Sequence, residues 1–130
     1  MDDVDLEILK ILKKDARTKY VKIAKSVGLT EGAVRRRIKK LIEDGIIKKF
    51  TVDTTAELEG IVLIRTEPTR TKDAIVKVRK IAERVFEISG SHDIAALIHA
   101  YTIDELNRRI DEIRKIPEVL NTNTLIKLKD

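Results

Sequence analysis

A run of basic residues along one side of an amphipathic helix is the feature that most constrains this chain. Residues 30–42 are Thr-Glu-Gly-Ala-Val-Arg-Arg-Arg-Ile-Lys-Lys-Leu-Ile. Helical spacing places four aliphatic side chains on one stripe: Val34, Ile38, Leu41 and Ile42. Five of the six positions from 35 to 40 are basic, and no acid lies between Glu31 and Glu43. An ordinary solvated helix face mixes both signs of charge, so this face indicates a polyanionic partner.

Two shorter helices are predicted before this one. Asp3 or Asp5 can cap the first, and glycine at position 28 can end the second in left-handed geometry. The spacing of Ala24, Gly28 and Val34 is typical of a helix-turn-helix. The small alanine lets two helices cross closely, the glycine forms the tight turn, and the valine packs in the space between the helices. The alternative is a plain three-helix core with an ordinary solvated surface.

The basic helix would be the recognition helix of such a module. Base contacts depend on its first turn, while its cations suit phosphates. The candidate DNA-binding residues are Thr30, Glu31, Gly32, Arg35, Arg36, Arg37, Lys39 and Lys40. Which bases they prefer does not follow from the sequence.

Charge divides the chain into two modules. Residues 1–53 carry 14 lysines and arginines against 9 acidic residues, whereas residues 54–130 carry 13 of each. We therefore predict a DNA-binding domain over 1–53, of winged-helix-like form, and a second domain over 54–130. Residues 46–52 are β-prone and predict a strand that leaves the first domain.

The second half alternates strands and helices. We predict strands over 61–66, 85–89, 94–100 and 119–128, a helix over 71–84, and a helix capped by Thr102 that ends before Pro117. Its inward residues would be Ile103, Leu106, Ile110 and Ile113. The order βαββαβ is the ferredoxin-like arrangement, so the whole chain falls in the α+β class.

Two of these strands are too apolar for a monomer. Residues 61–64 and 94–98 are unbroken apolar runs, although helices can cover only one face of an antiparallel sheet. We expect the other face to meet a second copy, giving at least a homodimer; the alternative is that an edge between the two modules covers it.

Composition bounds the remaining possibilities. The chain has no cysteine and no apolar run long enough to span a bilayer, and its acidic N-terminus does not resemble a signal peptide. These features predict a cytoplasmic protein. A charged fraction of 38% weakly indicates a thermophile.

Catalytic chemistry is not expected. Ser89, Ser91, His92 and Asp93 are neighbours in one predicted hairpin, a poor arrangement for a nucleophile, a base and an orienting group. His92 and His99 are seven residues apart and would point to opposite faces of a strand, which disfavours a metal site. We predict no enzyme, no cofactor and no metal.

The chain resembles the Lrp/AsnC (feast/famine) transcription regulators of bacteria and archaea. The residues that carry the resemblance are Asp5–Leu9, Asp15–Arg17, Ile23, Ala24, Gly28–Thr30, Val34, Arg37, Ile38, Leu41, Gly45–Ile47, Gly90–Asp93 and Pro117–Val119. The resemblance implies dimers, or rings of dimers, that bind operator DNA and sense an amino acid or related small molecule. Such a protein would be associated with the nucleoid. The short connector and first strand, 54–66, depart from the family pattern.

The resemblance also implies a place for the effector, at contacts between dimers near the second hairpin. Backbone groups there and a carboxylate could hold the charged ends of an amino acid. The candidate residues are Gly90, Ser91, His92, Asp93, Tyr101, Thr122 and Thr124. Two alternatives are an architectural DNA-coating protein without an effector and an RNA binder. The RNA binder is disfavoured because the strands hold only Phe86 as a base-stacking aromatic, with Tyr101 just after.

Overall fold

The computed structural model describes residues 1–128, and its internal contacts divide the chain into one unit of residues 1–53 and a second that begins at Thr54. The first unit consists of three helices and the segment that follows them. The helices are α1 (Asp3–Lys14), α2 (Tyr20–Val27) and α3 (Glu31–Glu43). Their buried side chains form one core: Ile8, Leu12, Ile23, Ala24, Val34 and Ile38.

The ends of these helices follow from their capping residues. Gly28 ends α2 with a φ of 71°, and Thr30 caps α3 by accepting a hydrogen bond from the backbone N–H of Ala33 at 3.1 Å, both as predicted. The cap of α1 is Asp2 rather than Asp3 or Asp5. The Asp2 carboxylate accepts from the Asp5 N–H, and the Asp5 carboxylate accepts from the Asp2 N–H, which is a capping box with aspartate in both places.

The predicted exit strand over 46–52 is wrong for the single chain. No part of this segment is in a strand, and Phe50 and Val52 are exposed. A β-strand needs a neighbouring backbone to satisfy its N–H and C=O groups, and the described residues 1–128 place no strand beside this one. High β-propensity alone does not supply that neighbour.

The second unit is the predicted four-stranded antiparallel sheet with two helices. Strand order is β2-β3-β1-β4, which places the two strands that precede helices at the centre. Its elements are β1 (Leu58–Thr66), α4 (Thr71–Val78), β2 (Arg84–Glu87), β3 (Ile94–Ala100), α5 (Ile103–Arg114) and β4 (Val119–Ile126).

The largest differences from the sequence prediction are at the start of β1, at the end of α4 and in the burial of one residue of α5. Strand β1 starts three residues earlier, inside the predicted connector, because Leu58 pairs with Ala100. Helix α4 stops at Val78 instead of Arg84, and Arg109 of α5 donates to the carbonyl of Ile81 in the turn that follows. Ile103, predicted to face inward, is 55% exposed because it is the first residue of α5 and projects beyond the sheet.

One face of the sheet is covered by helices, and the other face is exposed in the single chain. Alternate residues of β1 and β3, among them Val62, Ile64 and Ile98, are fully buried against α4 and α5. The opposite face is apolar but uncovered in one chain. Ile61 and Leu125, paired neighbours in the register, are 43% and 48% exposed.

One ion cluster, built around the buried carboxylate of Glu118, joins α4 and the residue before it to the start of β4. The Glu118 side chain is 4% exposed, and its Oε1 accepts hydrogen bonds from Lys77 Nζ at 2.7 Å and Arg70 Nη2 at 3.2 Å. The hydrogen bond from Lys77 is the main cause that lowers the pKa of Glu118 below its ordinary value of 4.5. Charge pairing therefore ties two segments that are distant in sequence.

We predict that Glu118→Gln destabilises the protein at pH 7 but not at low pH. Because the folded state lowers the pKa of Glu118, its stabilising effect is present above the unfolded pKa of about 4.3 and is lost as pH falls through the folded pKa. Urea unfolding at pH 7 and at descending pH below 4 measures this. Glu112→Gln, at an exposed position on α5, is the control. Equal destabilisation at both ends of the pH range would contradict it.

Candidate functional site

The recognition helix α3 is fixed by the burial of one of its faces. Val34, Ile38 and Leu41 are at most 3% exposed, so the helix can rotate little about its axis. The opposite side, centred on Gly32, Arg36 and Lys40, faces solvent or lies at its margin. The predicted orientation of the basic face therefore agrees with the burial.

The cations at the centre of this face have few partners of their own. Within residues 1–128, Arg36 and Lys40 make no ion pair and no side-chain hydrogen bond. Lys39 Nζ lies 4.0 Å from Glu43, the limit of an ion pair between exposed groups. These three side chains are available to an external anion.

The cations on the two flanks are engaged. On one flank the Arg35 guanidinium pairs with Glu31 at 3.1 Å and lies 5.1 Å from the centroid of the Tyr20 ring. On the other flank the Arg37 guanidinium binds both carboxylates of the α1 capping box. Three predicted DNA contacts, Glu31, Arg35 and Arg37, thus already have partners within the chain.

The pairing of Arg37 also shifts two pKa values, each in the direction that favours the charged form. The hydrogen bond from Arg37 is the largest cause that lowers the pKa of Asp2, and the same bond raises the pKa of Arg37. Sequence reasoning did not connect Asp2 or Asp5 to the site, although an acidic N-terminus beside a basic helix was the available signal.

The start of α1 and the side of α3 enclose a groove of about 570 Å³. It is open to solvent and combines both signs of charge. Its lining residues include Asp2, Asp5, Arg36, Arg37, Lys40 and Asp44.

The second predicted site, the hairpin between β2 and β3, is held by two hydrogen bonds that sequence did not reveal. Asp93 Oδ2 accepts from the backbone N–H of Thr66 at 2.9 Å, and Arg65 donates to the carbonyl of Ser91 at 2.7 Å. Gly90 has a φ of 119°, which only glycine adopts readily. Asp93 is therefore a structural anchor of the hairpin, and Arg65 is a site residue that was missed.

The hairpin side chains do not assemble a hydrolytic triad. The Ser91 hydroxyl lies 2.9 Å from His92 Nδ1, but the Asp93 carboxylate is directed to Thr66. The described residues 1–128 contain no group of three or more histidine and acidic side chains arranged to hold a metal. In the same part of the chain no helix is long and apolar enough to cross a membrane.

The other predicted effector residues are not brought to the hairpin. Tyr101 follows β3 at the end opposite the hairpin, a separation of roughly 20 Å for a seven-residue strand. Thr122 and Thr124 lie on the helix-covered face of β4, opposite Ile64 and Val62. Thr122 accepts from Arg114 at 3.2 Å, and the Thr124 hydroxyl is buried and has no hydrogen-bond partner within residues 1–128.

We predict that the double variant Arg36→Ala, Lys40→Ala folds normally but binds DNA more weakly and with less salt dependence. Each lost phosphate contact lowers the slope of log K against log salt by roughly 0.9. Fluorescence anisotropy over a salt series measures the slope, and Arg108→Ala with Lys115→Ala, exposed cations of the second unit, is the control. An unchanged slope and affinity would show that this face does not meet DNA.

Known proteins that are similar to this chain are DNA-binding transcription regulators. Residues 1–48 match the winged helix-turn-helix DNA-binding family. The curated HTH-type transcriptional regulators LysM of Saccharolobus solfataricus and Sulfurisphaera tokodaii are 44% and 43% identical over 134 residues. Those alignments span 99% of this chain and 94% and 96% of the relatives. Both relatives are named regulators and not enzymes.

Solved structures extend the similarity to the second unit. AsnC of E. coli matches 100% of this chain and 93% of its own, with a TM-score of 0.72 and 25% identity. A transcriptional regulator of Neisseria meningitidis, solved as a complex with L-Met, matches 100% and 91% with a TM-score of 0.75; at 18% identity it shows the fold alone. Curated regulators above 40% identity span nearly the whole chain, and the fold of AsnC matches it over both units. The chain therefore belongs to the Lrp/AsnC family of transcriptional regulators.

Proposed function

We propose that this DNA-binding regulator recognises specific operators and that an amino acid or related small molecule modulates its binding. The observation that carries the DNA-binding surface is the centre of α3, where Arg36 and Lys40 face solvent without a partner in residues 1–128. Cations left unpaired on a recognition helix suit phosphates, which are the dominant source of affinity for DNA.

Sequence preference would come from the first turn of α3. The Thr30 hydroxyl is used by the cap, and the Glu31 carboxylate is shared with Arg35. Gly32 presents no side chain and lets the backbone approach the groove closely. We assign base contacts to Arg35 where it leaves Glu31, and phosphate contacts to Arg36 and Lys40.

The effector site is proposed at the β2–β3 hairpin. Gly90, Ser91 and His92 offer backbone amides, a hydroxyl and an imidazole at the end of the sheet, and these suit a carboxylate and an ammonium group. The L-Met complex of the fold neighbour supports an amino acid as the ligand class. Tyr101, Thr122 and Thr124 could join the site only from another chain, because this chain holds them apart from the hairpin.

The uncovered face of the sheet is proposed as the homodimer contact. Its central row contains Ile61, Leu97 and Leu125 side by side, and Phe86 extends the apolar surface onto β2. Burying such a row against a second copy stabilises by about 25 cal/mol per Å² of apolar area. A dimer presents two copies of α3, and further assembly of dimers would bring hairpins together. A cytoplasmic, nucleoid-associated location belongs to the same proposal.

The dimer is tested by Ile61→Asp in the full chain. A carboxylate buried at a two-fold contact lacks a partner, so we expect the dissociation constant to rise by at least about tenfold. Light scattering and sedimentation measure the mass. Val76→Asp, at an exposed apolar position on α4, is the control and should remain dimeric. A dimer that tolerates both substitutions would contradict the proposed contact.

The effector is tested by calorimetry with the twenty amino acids, followed by DNA binding with any that gives heat. Asp93→Asn is the informative variant. Asp93 Oδ2 is used by Thr66, but Oδ1 makes no hydrogen bond within residues 1–128 and would receive the ammonium group of the effector; asparagine keeps an acceptor for the Thr66 N–H and removes the charge. We expect it to weaken ligand binding at least about tenfold with little change in ligand-free DNA binding. Absence of heat from every amino acid would favour an architectural DNA-coating protein.

A further inference from the structure

Within residues 1–128, Arg37 is the one residue of the basic run that connects α3 to the start of another helix through ion pairs. Its Nη1 donates to Asp2 Oδ2 at 2.7 Å and to Asp5 Oδ1 at 3.2 Å. The Arg37 side chain is 33% exposed and that of Asp5 only 15%. A partly buried guanidinium that bridges two carboxylates is held more firmly than an exposed surface pair.

The two carboxylates have a second task, since together they form the capping box of α1. Their geometry is therefore fixed by the helix they begin, and Arg37 binds to groups that cannot easily move away. The core already limits rotation of α3 about its axis, and this contact restrains what remains free, the tilt of the middle of α3 relative to the first turn of α1. The opposite flank is braced in parallel, where Arg35 lies over the Tyr20 ring of α2.

The location of the acids matters for a polyanion. Asp2 and Asp5 line the same groove as Arg36 and Lys40, the unpaired cations of the exposed face. Without Arg37, two uncompensated carboxylates would stand beside the surface that meets phosphates and would repel them. Arg37 thus removes a repulsion and sets the angle of the helix, and neither task requires it to touch DNA.

We propose that Arg37 is a positioning residue of the recognition helix: anchored by the capping box of α1, it orients α3 and neutralises Asp2 and Asp5 while the adjacent Arg36 contacts DNA. This inference rests on the proposed DNA-binding face. It assigns opposite roles to two neighbouring arginines of the same helix, which makes them matched controls for each other.

The test compares four full-length proteins: Arg37→Ala, Arg36→Ala, the double variant Asp2→Asn with Asp5→Asn, and the combination of that pair with Arg37→Ala. Asparagine is a good N-cap at position 2, and an asparagine amide oxygen at position 5 can still accept from the N–H of residue 2, so the acid variants keep the capping hydrogen bonds and lose the charge. Each protein is measured for thermal unfolding, and for binding to a genomic fragment selected by footprinting and to a random duplex of equal length. Binding is followed over a salt series, well below the unfolding temperature.

For Arg37→Ala we expect the ratio of specific to random binding to fall by at least about threefold, with the salt slope unchanged. Arg36→Ala should instead lower the slope by roughly 0.9 and leave thermal stability intact. The acid pair should also reduce the specificity ratio, because it releases Arg37. Adding Arg37→Ala to that pair should cause little further loss of specificity, as expected for two sides of one interaction.

Two results would overturn the inference. One is a salt slope for Arg37→Ala that falls as it does for Arg36→Ala, which would make Arg37 a phosphate contact. The other is an acid pair that raises the specificity ratio, since the carboxylates would then only restrain Arg37 from DNA. If Arg37→Ala fails to fold, the variant Asp2→Asn with Asp5→Asn tests the inference by itself. Its ratio of specific to random DNA binding should fall, and a rise in that ratio would overturn the inference. An unchanged slope for Arg36→Ala together with Lys40→Ala would instead refute the DNA-binding face itself.

Discussion

The burial of one side of α3 is the constraint on which the DNA-binding unit depends. Val34, Ile38 and Leu41 enter the three-helix core, and this fixes which residues of the helix can face outward. Burial of these side chains contributes about 1.5–3 kcal/mol each, far more than any exposed charge pair. The basic face is therefore a consequence of the core. A change in the apolar stripe would rotate every cation with it.

Charge pairing then sorts the cations that the core has exposed. Glu31 and Tyr20 engage Arg35, and the capping box of α1 engages Arg37. Arg36 and Lys40, at the centre, have no such partner in the described residues. Fewer cations are therefore available to DNA than the run of basic residues contains. The flanks of the basic face of α3 are therefore paired within the chain, and the cations at its centre can bind an external anion.

The sheet unit shows the same division between a buried and an available surface. Helices α4 and α5 cover one face, and Glu118 with Lys77 joins α4 to β4. The other face keeps its apolar row uncovered in a single chain. The hairpin at the end of the sheet is held by Asp93 and Arg65, which leaves the hydroxyl and the imidazole of its turn accessible for an effector. Assembly and sensing would thus use separate parts of one small sheet.

The sequence by itself determined the helix-turn-helix, its caps at Gly28 and Thr30, and the order βαββαβ, because these follow from local periodicity and backbone preference. Only the tertiary structure decided which basic residues are free. The partners of Arg37 lie 32 and 35 positions away, and those of the hairpin lie on β1. It also removed the strand predicted over 46–52, since pairing depends on a neighbouring backbone. Periodicity assigns a residue to a face, whereas contacts between distant segments decide what that residue can bind.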